Sequence, residues 1–185
     1  ECGHGNYIPK GQQVPLYSQT NLLEQVQQQV SRNLQHPKFG RVALYKEKTK
    51  GDASDNRIHM RFMTTLSNHI AELTGSSAEP LLQRVSGHYP SFLCFGTGLG
   101  YHLQSILNDV SFDYIFLCEP DFDMFYASLF CIDWAQLIQH AHDNGASMFI
   151  MLGVTYDIFF QQLTDLTASV GAFSLINSFC YQHYP

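Results

Sequence analysis

Residues 91–119, SFLCFGTGLGYHLQSILNDVSFDYIFLCE, constrain this chain more than any other stretch. An apolar strand, Ser91 to Phe95, runs into Gly96-Thr97-Gly98-Leu99-Gly100, and a helical segment follows from Tyr101. A second apolar strand, Tyr114 to Cys118, ends on Glu119. This is the order of a nucleotide-binding βαβ unit, in which glycines permit a tight turn and let a ligand approach the backbone. The start of the helix offers free N–H groups and a positive dipole end to an anion. An acid closing the second strand stands where a ribose hydroxyl is gripped. Gly96, Thr97, Gly98, Gly100 and Glu119 are therefore the candidate nucleotide-binding residues. The alternative is structural: glycines that allow close helix–strand packing, and a carboxylate that caps the amides from Asp121 onward.

The spacing separates this loop from two familiar ligand classes. Gly96-x-Gly98-x-Gly100 alternates as in methyltransferase-like Rossmann folds, whereas a dinucleotide fingerprint wants glycine where Tyr101 stands. Methyltransferases place an acid two residues before the first glycine, and Cys94 occupies that position. The motif defines a strand–turn–helix better than it defines a ligand.

The remaining strands and helices fall into place around it. Gly3, Gly5, Pro9, Gly11 and Pro15 mark residues 1–20 as an irregular arm. Asn21 and Glu24 have capping-box spacing, and Leu22, Val26, Val30 and Leu34 form one apolar stripe on a helix that His36-Pro37 stops. Val42–Tyr45 and the alternating run Ile58–Phe62 predict a small antiparallel hairpin. Met63, Leu66, Ile70 and Leu73 recur at helical spacing up to Gly75, Pro80 opens a short helix, and Gly87-His88-Tyr89-Pro90 breaks it. Beyond Glu119, helices are predicted from Pro120-Asp121, from the capping pair Asp133 and Gln136, and over Thr155–Val170. Further strands are predicted over Ser147–Leu152 and Phe173–Phe179. Alternating strands and helices from residue 91 imply a mostly parallel sheet with helices on both faces, an α/β Rossmann-like fold. The expected division is an N-terminal arm with helices and a β-hairpin (1–88), then the Rossmann-like domain (89–185).

Composition narrows the partners. With 185 residues, 45% hydrophobic and 14% charged, the chain can bury a core. A net charge of −6 and no basic stripe exclude a nucleic-acid binder. No apolar run is long enough to span a bilayer, and the opening Glu1-Cys2-Gly3-His4 is not a signal peptide. With no initiator methionine at its start, the chain is expected to be an excised piece of something longer. Five widely spaced cysteines without a CxxC pair indicate neither zinc nor a disulfide framework and fit a reducing, cytoplasmic setting.

Catalytic candidates are few. His140 and His142 lie two apart on a helix, so they face different ways and cannot share one metal ion. Cys2-x-His4 is a poor metal pair in an arm, and no metal site is expected. Asp121 and Asp123 stand where helix-start acids serve the dipole. His102, in the first helical turn after the glycine loop, is placed near a ligand or else in solvent. There is no GxSxG elbow and no Walker loop, and Thr97 and Ser105 have no evident histidine base.

CFGTGLGYHLQSIL followed by IFLCEPDFDMFYASLFCIDW resembles the N-terminal region of the motility-associated factor (Maf) proteins, bacterial flagellin glycosyltransferases. The matching features are Gly96 to Leu103 apart from Thr97, then Glu119-Pro120 and Asp133-Trp134; Pro15-Leu16-Tyr17-Ser18 is similar to the family's N-terminal segment. The resemblance implies a parent enzyme that moves a nonulosonic acid, a sialic-acid-like sugar, from a CMP-sugar to flagellin serine or threonine. In that family the transfer belongs to a central domain with a Gly-Pro-Ser-Leu-type segment, which is not found here. The implied object is an accessory domain, with flagellin and the later catalytic domain as partners and a nucleotide or nucleotide-sugar as candidate ligand. Rival readings are an S-adenosylmethionine-dependent methyltransferase-like domain and a degenerate Rossmann scaffold that binds only protein.

Overall fold

A computed structural model describes residues 4–17, 20–40, 56–74, 87–171, 175 and 178–183. Contacts group the chain into two compact units, Glu1–Arg41 with Gln83–Pro185, and Val42–Leu82.

The larger unit is built on one sheet. Its strands are β1 (Lys38–Gly40), β2 (Gly87–Phe95), β3 (Val110–Glu119), β4 (Ser147–Leu152) and β5 (Ser178–Gln182), in the spatial order β1-β5-β2-β3-β4. β5, β2, β3 and β4 run parallel, and β1 lies antiparallel on the edge. The helices of this unit are α1 (Leu22–Gln35), α3 (Tyr101–Asp109), α4 (Phe122–Ser128), α5 (Trp134–Asp143) and α6 (Tyr156–Val170), while α2 (Ile58–Thr74) belongs to the other. One face of the sheet buries Phe92, Ile115, Leu117 and Phe179 beneath α1, α3 and α5; the other buries Leu93, Phe116 and Cys118 against Phe159 and Leu163 of α6. This is the expected α/β architecture with helices on both faces.

The strand order fixes where a ligand would sit. From β2 the chain steps outward to β3 and β4, then returns to place β5 on the other side of β2. Parallel α/β sheets bind ligands beyond the strands' carboxyl ends where the winding reverses, here between β2 and β5.

Several boundaries differ from the sequence reading. The apolar stripe of α1 is as expected, with Leu22, Val26 and Val30 buried, but it packs in the core with α3 rather than in a separate N-terminal part. The Asn21 side chain makes no cap hydrogen bond, because its φ of −138° and ψ of 43° are not the extended geometry that aims it at the helix amides. Ile58–Phe62 opens α2 instead of forming a hairpin strand. A five-residue alternation is ambiguous, and Ile58, Phe62 and Leu66 also fall four apart, as one helical line. Val42–Tyr45 and the helix expected at Pro80 lie outside the described residues.

Gly87–Pro90 belongs to β2 rather than breaking the chain ahead of it. Pairing with β5 begins only at Ser91, and the partners on β3 skip from Tyr89 to Ser91, so Pro90 stands where no ladder donor is required. β3 begins at Val110 directly from α3, hidden in the sequence by Ser111 and Asp113 on its exposed side. β5 lies further along than the expected Phe173–Phe179.

Candidate functional site

The glycine loop joins β2 to α3 at the carboxyl edge of the sheet. The Gly96 amide extends the ladder by donating to the Cys118 carbonyl at 2.8 Å, and a turn closes from the Gly100 amide to the Thr97 carbonyl at 2.9 Å. Gly98 has φ +48°, and a Cβ there would collide with the imidazole of His183. Glycine is thus required at this position twice, by conformation and by the approach of a side chain from just beyond β5.

Glu119 is fully buried. Its Oε2 accepts from the Thr97 amide at 2.7 Å, the Thr97 hydroxyl at 3.0 Å and the Gly98 amide at 3.3 Å. Its Oε1 accepts from the Asp121 amide at 3.0 Å. The amides of Gly96, Thr97, Gly98 and Gly100, four of the five in the loop, therefore have partners within the chain, and the carboxylate occupies the position an anionic group would take.

The switch point is filled as well. Beyond β5, the His183 amide donates to the Phe95 carbonyl at 2.9 Å, and its ring turns back over the loop. The Tyr17 hydroxyl meets His183 Nε2 at 3.0 Å. The His102 ring is stacked between Tyr181 and His183, each 4.7 Å away between centroids. The irregular arm brings Tyr17 here: Asn6 pins it through a side-chain amide donating to the Tyr17 carbonyl at 2.8 Å and a side-chain oxygen accepting from the Tyr17 amide at 3.2 Å. Tyr101 anchors the same arm by donating to the Gly5 carbonyl at 2.9 Å.

Burial sets the charge states. It lowers His102 well below the ordinary imidazole value, with His183 adding to the effect, and lowers His183 to about 4. It raises the Cys94 thiol well above its usual range, helped by the nearby Glu119 carboxylate and Cys118. Cys94 Sγ lies 3.6 Å from His102 Nε2, a cysteine–histidine contact that invites a nucleophile–base reading. Both groups are held neutral and both are fully buried, whereas a reactive cysteine needs a stabilised thiolate and access. The pair is structural.

Gly96, Thr97, Gly98, Gly100 and Glu119 thus come together as the sequence placed them, with Glu119 turned into the loop. The carboxylate also holds the Asp121 amide, as the capping alternative required. His102 is in neither of its expected places, being buried between two rings. Asp121 and Asp133 act as helix caps, accepting from Asp123 and Met124 and from Gln136. His140 Nε2 contacts the Leu107 carbonyl at 3.2 Å. Among the described residues no cluster of three His, Cys, Asp or Glu side chains is arranged to hold a metal ion. Sequence reasoning missed Tyr17, Tyr181 and His183, which arrive from the two ends of the chain.

Fold and site together define a Rossmann-like α/β domain whose ligand edge is closed by its own side chains. Residues 2–185 match the family described as the glycosyltransferase Maf N-terminal domain, and the chain belongs to that family. A solved structure, that of a MAf glycosyltransferase from Magnetospirillum magneticum AMB-1, has the same fold with a TM-score of 0.58 and 17% identity. The match covers 100% of this chain and 28% of that one. No curated protein matches the chain significantly. No described helix is long and apolar enough to cross a membrane.

Proposed function

We propose that this chain is a non-catalytic N-terminal domain of a cytoplasmic bacterial glycosyltransferase. The parent enzyme transfers a nonulosonic acid from a CMP-sugar to serine or threonine of flagellin, and the chemistry belongs to a domain beyond residue 185. In this reading the glycine loop is architecture: Gly96, Thr97, Gly98, Gly100 and Glu119 hold each other in place and take no nucleotide. The observation that carries it is the internal pairing of four of the five loop amides, two of them by Glu119. Glycosyl transfer must orient a donor, an acceptor hydroxyl and a developing charge together, and the loop's Thr97 and Gly98 amides and the Glu119 carboxylate are already engaged with one another. Family membership supports the accessory role, and the position of Cys94 weighs against the methyltransferase alternative.

The test is to incubate residues 1–185 with flagellin and a CMP-nonulosonic acid, then weigh the flagellin by mass spectrometry, with the full-length enzyme in parallel. Transfer by the full-length enzyme alone is expected. A sugar-sized mass gain produced by residues 1–185 and abolished by Glu119→Ala would place catalysis on the glycine loop.

A further inference from the structure

The closed crevice has an open neighbour on the same edge of the sheet. Phe95, whose carbonyl receives the His183 amide, packs its ring against Tyr156 and Phe160 of α6 at 5.7 and 5.9 Å. Those two rings remain 41% and 50% exposed. Three residues before Tyr156, Gly153 follows β4 and donates to the Glu119 carbonyl at 2.8 Å; the ring of Phe122 lies so close over it that a Cβ there would overlap the ring. Phe122 is the first residue of α4, Tyr126 lies one turn on, and Tyr126 meets Phe130 edge-on at 5.2 Å. These three are 61%, 62% and 74% exposed.

The result is an aromatic rim running from α6 across Gly153 to the end of α4. Its burial would remove a large apolar area from water at little entropic cost, since aromatic rings have few rotatable bonds. The chain itself indicates the occupant. β5 is parallel to β2, β3 and β4, so the backbone leaves the sheet at this edge, and His183 is tied to the residue on which Tyr156 and Phe160 pack. The solved relative extends far beyond the matched part, which is 28% of its length. A following segment therefore starts beside the rim, at high effective concentration.

We infer that Phe122, Tyr126, Phe130, Tyr156 and Phe160 form the docking face for the segment that follows residue 185 in the full-length enzyme. The inference rests on the reading of this domain as part of a longer transferase, but it is tested without measuring transfer.

The experiment is hydroxyl-radical footprinting of the full-length enzyme, read by mass spectrometry at two protein concentrations. Tyr126, Phe130, Tyr156 and Phe160 are expected to label several-fold more slowly than free side chains of their type, at both concentrations. In full-length Tyr126→Glu/Phe130→Glu, labelling of Tyr156 and Phe160 is expected to rise several-fold, while buried Phe92 and Phe116 stay protected and report an intact domain. Wild-type labelling at the free-side-chain rate would overturn the inference. So would protection lost on dilution, which means a second copy. Protection retained after cleavage at a protease site inserted behind Pro185 and separation of the pieces would place the cover within residues 1–185 and also overturn it.

Discussion

Two parts of one sheet edge, the crevice between β2 and β5 and the rim along α4 and α6, are opposites. In the crevice four of the five loop amides meet acceptors inside the domain, and Tyr17, His102 and His183 pack where a ligand would enter. On the rim five aromatic rings stand partly in water: Tyr156 and Phe160 lean on Phe95, Phe122 covers Gly153, and Tyr126 meets Phe130. Polar groups satisfied at home add rigidity, while apolar surface left uncovered is what association uses. On the reading proposed above, the nucleotide-type motif serves as a brace, and the proposed docking surface lies beside it.

The largest effect is expected from opening the brace. Glu119→Ala strands the buried Thr97 and Gly98 amides and the Thr97 hydroxyl, releases the part-buried Asp121 amide, and should cost roughly 3–5 kcal/mol in urea unfolding, since each unmet buried donor carries a penalty of its own. Glu119→Gln keeps an acceptor and should lose about half as much. Equal, small losses from both would mean the carboxylate is not what holds the loop.

Acid should act next. His183 is neutral in the fold down to about pH 4, while the unfolded chain takes up a proton near 6.5. The unfolded state therefore binds more protons in that window, and stability, fully present above pH 6.5, falls with decreasing pH by about 1.4 kcal/mol per unit for each such histidine. His102, shifted the same way, adds to the slope. Urea midpoints at pH 7 and pH 5 should differ less in His183→Phe than in the wild type. An unchanged difference would remove His183 from the crevice.

Tyr17→Phe, which deletes the hydrogen bond shared with His183, should cost about 1 kcal/mol and loosen the arm, read as faster amide exchange at Tyr17. The rim should barely register in the domain by itself: Phe130→Ser is expected to change its stability by less than about 0.5 kcal/mol. A loss like that of a core residue would show that the rim is already packed.

Much of the fold was legible because its signals are local. Met148–Leu152 is an uninterrupted apolar run and lies in β4; Asp133 caps α5, and Thr155 and Gly171 bound α6. Where two periods fit the same residues, as in Ile58–Phe62, tertiary context decided. The loop and Glu119 were found from spacing, but the direction the carboxylate takes was not, because it depends on what else reaches the switch point. Tyr17 and His183 stand 166 positions apart, and nothing near either announces the other. His102 shows the same limit: its burial follows from a strand that returns beside β2 after α6.

Calorimetry of residues 1–185 with CMP, a CMP-nonulosonic acid, S-adenosylmethionine and NAD tests the closed crevice most directly. No saturable heat is expected from any of the four, since the Thr97 and Gly98 amides are engaged and His183 lies over Gly98. Saturable binding of any one, weakened by Glu119→Gln, would contradict the brace and make the glycine loop a ligand site.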